Sequence, residues 1–544
     1  MESAAAEAGP KRRERLLLGL LLAASLGLDA WGIDWGLPSP AGWAPDEIVP
    51  RAVVEGMERG FSRGWHEKYP PLHYYLLALA YRPVLAAEGL RPGEPLPPAT
   101  NHRLFLVGRT LSLLMAAGIL ALVHRCGLEM GLDGRAALLA AALVALMPPF
   151  VFYAKLANLD VPYLFWWTFS LLFLIRVLRL HRPLDYLLLA AAAAAAVGTK
   201  DQAYGLYVLV PVLLAAARRG RDREGGWRRA VLGREMLLAA ATFVLVLAVL
   251  FDLPANLEGV LSHFRLITGP ASREFQEFSA DPAGILGLLG SIVLHLAFVL
   301  GAPQLLACVL GLAGAISARP SRPPGLALLV PGASYVVFFL GVVLYCYDRF
   351  VIPLGMLLAF FGGALLATAS RRSILGRVAT LALLGWGALR AAPVDLAMVN
   401  DSRYAVEDWL RRNAGSALVG AIGPPEYLPR LDGLRGRTVG PAIDRLLKIR
   451  PDYVVVNADH ASRSEPGTGD WAVYTGLDRG ALGYREVLRH RYRSPLLFVD
   501  PEKLVERGQM RLRSNLAKVN PEIRVYAAEP RGPGAPPTTG LERP

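Results

Sequence analysis

The sequence predicts an all-α polytopic membrane domain followed by a small C-terminal α/β domain. Three observations carry this. Of 544 residues, 53% are hydrophobic and the mean hydropathy is +0.36, too apolar for an ordinary soluble chain. Up to Ala391 the apolar residues fall in blocks of about twenty, the length that crosses a bilayer. After Pro393 the composition becomes that of a soluble domain.

The first block, Leu16 to Leu37, follows Lys11-Arg12-Arg13-Glu14-Arg15, carries Asp29 and Asp34 near its end and lacks a small-residue cleavage site. It reads as a retained span with a cytoplasmic start. The segment Tyr69 to Ala87 decides the orientation of every later span. If it crossed, Asp46 and Asp160 would face opposite compartments, and the arginine-rich stretch from Arg218 to Arg234 would lie outside, against the positive-inside bias. It is therefore expected to lie in the outer interface as an amphipathic helix, with Tyr74, Tyr75 and Tyr81 at headgroup depth.

The remaining spans are then Arg103 to His124, Ala136 to Ala154, Val161 to Leu180, Leu184 to Gly198, Tyr204 to Ala217, Glu235 to Leu253, Leu294 to Ala318, Gly325 to Tyr345, Val351 to Ser370 and Ile374 to Ala391. With the first this makes about eleven transmembrane helices. Arg125 and Arg135, Arg179 and Arg182, the stretch from Arg218 to Arg234, Arg319 and Arg322, and Arg371, Arg372 and Arg377 all fall inside. The odd count places the C-terminus outside. The Ala190 to Ala196 run reads as a close-packing face, and no internal repeat is visible.

Beyond the spans, Tyr404 to Asn413 is helical in pattern, while Ala417 to Ile422, Asp452 to Asn457 and Glu522 to Ala527 read as short strands. The expected organisation is a transmembrane domain over 1–392 with an outer loop at 38–101, an extracytoplasmic α/β domain over 393–529, and a disordered Pro/Gly-rich tail over 530–544. Membrane orientation accounts for the net charge of +13, so membrane lipids are expected as partners and nucleic acid is not. Cys126 and Cys308 fall near the inner face and Cys346 near the outer one, which supports no disulfide framework.

Asp46 and Glu47, in Trp43-Ala44-Pro45-Asp46-Glu47, and Asp160, in Asn158-Leu159-Asp160-Val161-Pro162, are the candidate chemical residues. Each also suits a helix N-terminus. Their company favours chemistry: Lys68, Arg103, Lys155, Lys200 and Arg349 all sit at outer span ends, where the positive-inside bias predicts few cations. Cations gathered around carboxylates at an interface suit an anionic lipid headgroup. Snorkelling, interfacial anchoring and local pairing are the bland alternatives. His66 and His73 lack the spacing of a metal site, and a surface or stacking role is expected for both. A transporter is the rival class, but charges at span ends and the lack of a repeat argue against it.

These elements resemble the GT-C glycosyltransferases, in particular the phospholipid-carrier-dependent group containing protein O-mannosyltransferases and aminoarabinose lipid A transferases. The shared features are an Asp-Glu pair in the first outer loop, Tyr69-Pro70-Pro71-Leu72, Leu159-Asp160-Val161-Pro162 and Tyr347-Asp348-Arg349-Phe350-Val351-Ile352-Pro353-Leu354, in that order over about Leu16 to Ala391. The resemblance implies transfer of a sugar from a polyprenyl-phosphate donor to a glycan, lipid or protein acceptor. Asp46 would be the general base, Glu47 its support, and Asp160 an aid in placing acceptor or sugar. Lys68, Arg103, Lys155, Lys200 and Arg349 would hold the donor phosphate, and His66, Tyr69, Tyr347 and Asp348 would contact acceptor or sugar. No cofactor and no metal ligands are expected, with a divalent metal left open. Where many relatives carry an arginine, Lys155 stands here; a lysine lacks the bidentate fork. The expected location is a bacterial plasma membrane, N-terminus in the cytoplasm.

Overall fold

The computed structural model describes residues 2–61, 68–222, 224, 226–269, 273, 275–317, 325, 327–495 and 512–530, with backbone alone for 2–11. His66, Arg319, Arg322 and all but the first residue of the expected tail lie outside this set. The chain forms two compact units: the described residues of 1–33, 46–394 and 511–514 make the first, and those of 34–45, 395–510 and 515–544 the second.

The helices of the first unit that bear on the site are α1 (Glu2–Ala30), α2 (Pro50–Glu58), α3 (Leu72–Ala87), α4 (Pro98–Glu129), α5 (Gly134–Ala145), α6 (Pro148–Ala154), α7 (Asp160–Leu180), α8 (Pro183–Val197), α9 (Val210–Arg221), α10 (Gly226–Leu232), α11 (Arg234–Leu250), α12 (Leu257–Thr268), α13 (Pro282–Leu300), α14 (Ala302–Ser317), α15 (Leu329–Tyr335), α16 (Ile352–Arg372) and α17 (Ile374–Val399). Among the described residues six helices are long and apolar enough to cross a membrane: Pro98–Glu129, Asp160–Leu180, Gly226–Leu250, Pro282–Leu300, Asp348–Arg372 and Ile374–Asn413. The pair α5 and α6, bent by 73°, makes a seventh if counted as one span, and Pro183–Val197, Ala302–Ser317 and Leu329–Val343 are shorter apolar helices. The chain is a multi-pass membrane protein.

Two more expected spans differ in form. Leu294 to Ala318 is two helices, α13 and α14, because Gly301 between them has φ +96°, a conformation that ends a helix. Tyr204 to Ala217 opens as the 3-10 turn Asp201–Leu206, and α9 begins only at Val210, with Pro211 in its first turn where a missing N–H costs nothing. The alanine run of α8 is buried against α7 and α11. Close approach recurs where α16 crosses α5: a Cβ on Gly363 would stand 2.7 Å from the Ala140 nitrogen.

The outer loop folds into α2 and α3. The positions 74, 77, 78, 81 and 85 of α3 make one apolar stripe, and it packs with Val53, Val54, Leu104 and Leu159. Tyr74 and Tyr81 are therefore buried within the protein, and Tyr75 donates to the Leu250 carbonyl at 3.3 Å. His73, expected in a surface or stacking role, is fully buried, and burial pulls its pKa down to about 3.

The second unit holds a five-stranded sheet of order β2-β1-β3-β5-β4, built from β1 (Leu418–Ile422), β2 (Arg435–Thr438), β3 (Tyr453–Asn457), β4 (Tyr484–His490) and β5 (Ile523–Ala528). β1 is parallel to β2 and β3, and β5 is antiparallel to β3 and β4. Val454 and Val456 face one core with Val473, Leu477 and Tyr526; Val455 faces the other with Val406, Leu410 and Val525. That alternation is what a strand buried on both faces requires. Helix α18 (Ser402–Asn413) covers the second core. In front of it Arg403 pairs with Asp401 at 2.7 Å and lies 4.1 Å from the Trp43 ring, while Trp35 Nε1 donates to Asp401 at 3.0 Å. Residues 34–45, expected at the end of the first span and in the outer loop, thus fold with this unit.

Candidate active site

Asp46 has φ +60°, a left-handed conformation that costs a side chain some strain and that Asp and Asn tolerate best. It does not cap a helix: the N-cap of α2 is Val49, without a side-chain bond. Its carboxylate instead meets two cations. Arg349 Nη1 donates to Oδ2 at 3.0 Å and Lys68 Nζ to Oδ1 at 3.4 Å. Burial alone would raise the Asp46 carboxyl, but Arg349 and Lys68 outweigh it and hold the group below the usual carboxylate range.

The same Arg349 Nη1 lies 3.8 Å from Asp160 Oδ2, and Lys200 Nζ donates to Asp160 Oδ1 at 2.6 Å. Asn158 holds this aspartate through its amide at 3.2 Å and accepts the Asp160 N–H at 3.1 Å. Side-chain exposure falls from 56% at Lys68 and 30% at Asp46 to 14% at Arg349, 10% at Lys200 and 2% at Asp160. The constellation is thus a polar shaft that opens at Lys68 and Asp46 and closes at Asp160. Arg349 rests on the Tyr347 ring at 4.9 Å, Lys200 on Tyr163 at 5.7 Å and Lys68 on Tyr69 at 5.2 Å. Burial lowers the Lys200 pKa, and its pairing with Asp160 counters part of that. Arg349 Nε is buried without a partner among the described residues. Burial, and then the nearby Asp46 charge, push the Tyr69 hydroxyl above its usual range.

Local sequence explains the placement. Gly198 and Lys200 lie just past the end of α8, and the Gly198 carbonyl accepts the Leu72 N–H at 2.9 Å, so the Tyr69-Pro70-Pro71 entry to α3 is tied to the Lys200 turn. Asp160 opens α7 and Arg349 lies in the 3-10 turn Asp348–Val351 that runs into α16. Asp348 is turned away from the shaft: its carboxylate accepts from Ser514 Oγ at 2.5 Å and from the Arg349 N–H at 2.6 Å, and its own N–H donates to the Arg513 carbonyl.

Three further expected site residues are held elsewhere. The Glu47 side chain is fully buried in a two-pronged pair with Arg109, at 2.8 and 2.7 Å, and accepts the Ala157 N–H at 3.0 Å. It ties the Asp46 segment to α4 and to the loop before Asp160. Lys155 is buried and donates to the Leu28 and Trp31 carbonyls at 3.3 and 3.0 Å, at the end of α1 where the helix dipole favours a cation. Arg103 pairs with Glu88 at 2.9 Å and is 59% exposed. Arg109, which holds Glu47, was passed over by the sequence reading; a lone arginine inside an apolar span is itself a signal of a buried partner.

Opposite ends of the same helices carry the arginine clusters. α7 begins with Asp160 and ends with Arg179; the span Asp348–Arg372 begins beside Arg349 and ends with Arg371 and Arg372. Glu129 gathers Arg179 at 3.0 Å, Arg125 and, at 3.9 Å, Arg176.

Residues 66–253 match the family model of the dolichyl-phosphate-mannose-protein mannosyltransferases, which bears out the resemblance drawn from the motifs. Lys68, Asp160 and Lys200 lie in that stretch; Asp46 and Arg349 lie outside it. Among solved structures the chain is similar to ArnT from Cupriavidus metallidurans bound to undecaprenyl phosphate, at 15% identity over 72% of each chain with a TM-score of 0.46. It is similar to the S. cerevisiae protein O-mannosyltransferase Pmt1-Pmt2 complex bound to the sugar donor, at 18% identity over 49% of this chain and 36% of that one, with a TM-score of 0.31. It is also similar to the oligosaccharyltransferase AglB from Archaeoglobus fulgidus in complex with an inhibitory peptide and a dolichol-phosphate, at 12% identity over 95% and 88% of the chains, with a TM-score of 0.47. Comparison with curated proteins finds no match.

Proposed function

We propose that this protein is a membrane glycosyltransferase that moves a sugar from a polyprenyl-phosphate donor to an acceptor hydroxyl on the extracytoplasmic face. The observation that carries the reading is the sharing of Arg349 by Asp46 and Asp160, with Lys68 and Lys200 at the flanks. The family match over 66–253 supports the donor class. The arginine clusters at the far ends of α7 and α16 support an extracytoplasmic site.

In the reaction the acceptor oxygen bonds to the anomeric carbon as the bond from that carbon to the phosphate oxygen breaks. The hydroxyl proton goes to Asp46, and polyprenyl phosphate leaves with the electron pair. Arg349, Lys68 and Lys200 neutralise the leaving phosphate inside a partly enclosed shaft, where fixed charges act more strongly than in water. This assigns charge neutralisation to side chains and calls for no cofactor. Asp160, paired with Lys200, fixes that lysine and stands where it can orient the sugar. With one carboxylate open on the acceptor side, a single displacement inverts the anomeric centre.

The test is to incubate purified wild type and Asp46→Asn with a panel of polyprenyl-phosphate sugars, following donor consumption and the anomeric configuration of the product. Asparagine keeps the left-handed backbone available. Wild type should consume at least one donor with inversion, and the variant should be about 10² to 10⁴-fold slower. Equal consumption, or retention, would overturn the assignment.

A further inference from the structure

We propose that the second unit carries a saccharide-binding site of its own, which takes a neutral or amino sugar of an acceptor glycan. The site is a cavity of about 380 Å³ between helix α19 (Gly469–Asp478) and strand β5, within the ~300–1,000 Å³ range of small-molecule sites. Naming an acceptor as the source rests on the glycosyltransferase reading; the binding chemistry does not.

Both walls present regular faces. On α19, Trp471, Tyr474, Thr475 and Asp478 stand at i, i+3, i+4 and i+7 and line the cavity from one side of the helix. On β5, Arg524 and Tyr526 are two residues apart and share the opposing face. Trp471 keeps 37% of its surface exposed although it lines a cavity, whereas Tyr474 and Tyr526 are buried. A pyranose has an apolar C–H face and a rim of hydroxyls. The indole offers a flat surface for the first, and the polar groups beside it suit the second.

Those polar groups are held rigidly. Arg524 Nη1 donates to Asp478 Oδ1 and Oδ2 at 2.9 and 3.0 Å, Tyr526 donates to the same carboxylate, and Arg524 Nε donates to Glu522 at 2.6 Å. A carboxylate and a guanidinium fixed side by side accept from and donate to neighbouring sugar hydroxyls without reorganising. The charge around them selects the ligand. Three carboxylates, Asp478, Glu522 and Glu486, surround Arg524 and Arg489. Both guanidiniums are thus already paired with carboxylates, which favours a neutral or amino sugar over a uronic acid or phosphorylated sugar.

The experiment is saturation-transfer NMR on the full chain in detergent, with neutral, amino-sugar and uronic-acid oligosaccharides as probes. Wild type should show transfer to neutral or amino-sugar probes and none to the acidic ones. Trp471→Ala should weaken binding by ~10-fold or more, and Trp471→Phe should restore most of it. Asp46→Asn, which disables sugar transfer if the glycosyltransferase reading holds, should bind the oligosaccharide as wild type does, so failure of that reading and failure of this site are told apart. No transfer to any neutral or amino-sugar probe, or transfer unchanged in Trp471→Ala, would overturn the proposal.

Discussion

Arg349 donates to Asp46 at 3.0 Å across 303 residues of sequence, so the group proposed as base is held by a cation proposed to take the leaving phosphate. On the proposed mechanism the relationship is a competition. A phosphate that enters the shaft draws Arg349 and Lys68 toward itself, and Asp46 loses the two charges that offset its burial. The base then gains proton affinity when the donor is in place, and is a weak base in the empty site.

The competition should appear in pH profiles. A carboxylate lowered below its usual value of ~3.9 stays ionised until the pH falls beneath that range, so the acid limb of kcat/KM, which reports the free protein, should lie below it. The acid limb of kcat, which reports the donor complex, should lie at higher pH. Steady-state rates between pH 3 and 8 check this; a kcat limb at or below that of kcat/KM contradicts it.

Arg349 serves two carboxylates from one nitrogen, which a lysine cannot reproduce in the same geometry. Arg349→Lys should raise the donor Kd by about tenfold and Arg349→Ala by about a hundredfold, from a charge-assisted contact of ~1.5–3 kcal/mol. Equilibrium binding of a polyprenyl-phosphate sugar measures both, and equal affinities in the two variants would count against the shared contact.

Lys200 and Asp160 form a nearly dry pair at 2.6 Å. Removing one partner strands the other charge, a loss of ~3–5 kcal/mol. Lys200→Met and Asp160→Asn should each lower the midpoint of heat inactivation of the solubilised protein, and the double variant should recover part of that loss. An additive double variant would show that the pair is not coupled.

Lys155 separates packing from donor binding. Its ammonium caps α1 through Leu28 and Trp31, so Lys155→Met should lower the inactivation midpoint and leave donor Kd within about threefold of wild type. A loss of donor affinity at unchanged thermal stability would return Lys155 to the phosphate site.

Much of the site was legible because charges at the ends of apolar spans stand out. Asp46, Lys68, Asp160, Lys200 and Arg349 were all found that way and meet in the structure. Lys155 and Arg103 carry the same signal and partner elsewhere, since a span end fixes depth in the membrane but not direction around the helix. Arg109 lay within a span, where depth alone gives no cluster, although its isolation among apolar neighbours was visible. In the second unit, β1, β3 and β5 were apparent from apolar runs. β2 was not, because Arg435–Thr438 is an exposed edge without alternation, and β4 was not, because Tyr484–His490 is mostly polar on its outer face. That Tyr74 and Tyr81 of α3 pack against protein was not legible, because an amphipathic stripe looks the same whether it meets lipid or protein.

The competition between Asp46 and the phosphate is tested most directly by the affinity of Asp46→Asn for polyprenyl phosphate itself. With the rival carboxylate gone, the variant should bind about fivefold more tightly than wild type, the worth of a partly exposed ion pair of ~1 kcal/mol, while its sugar transfer slows by about 10² to 10⁴-fold. Weaker binding by the variant, or transfer at the wild-type rate, would contradict the account.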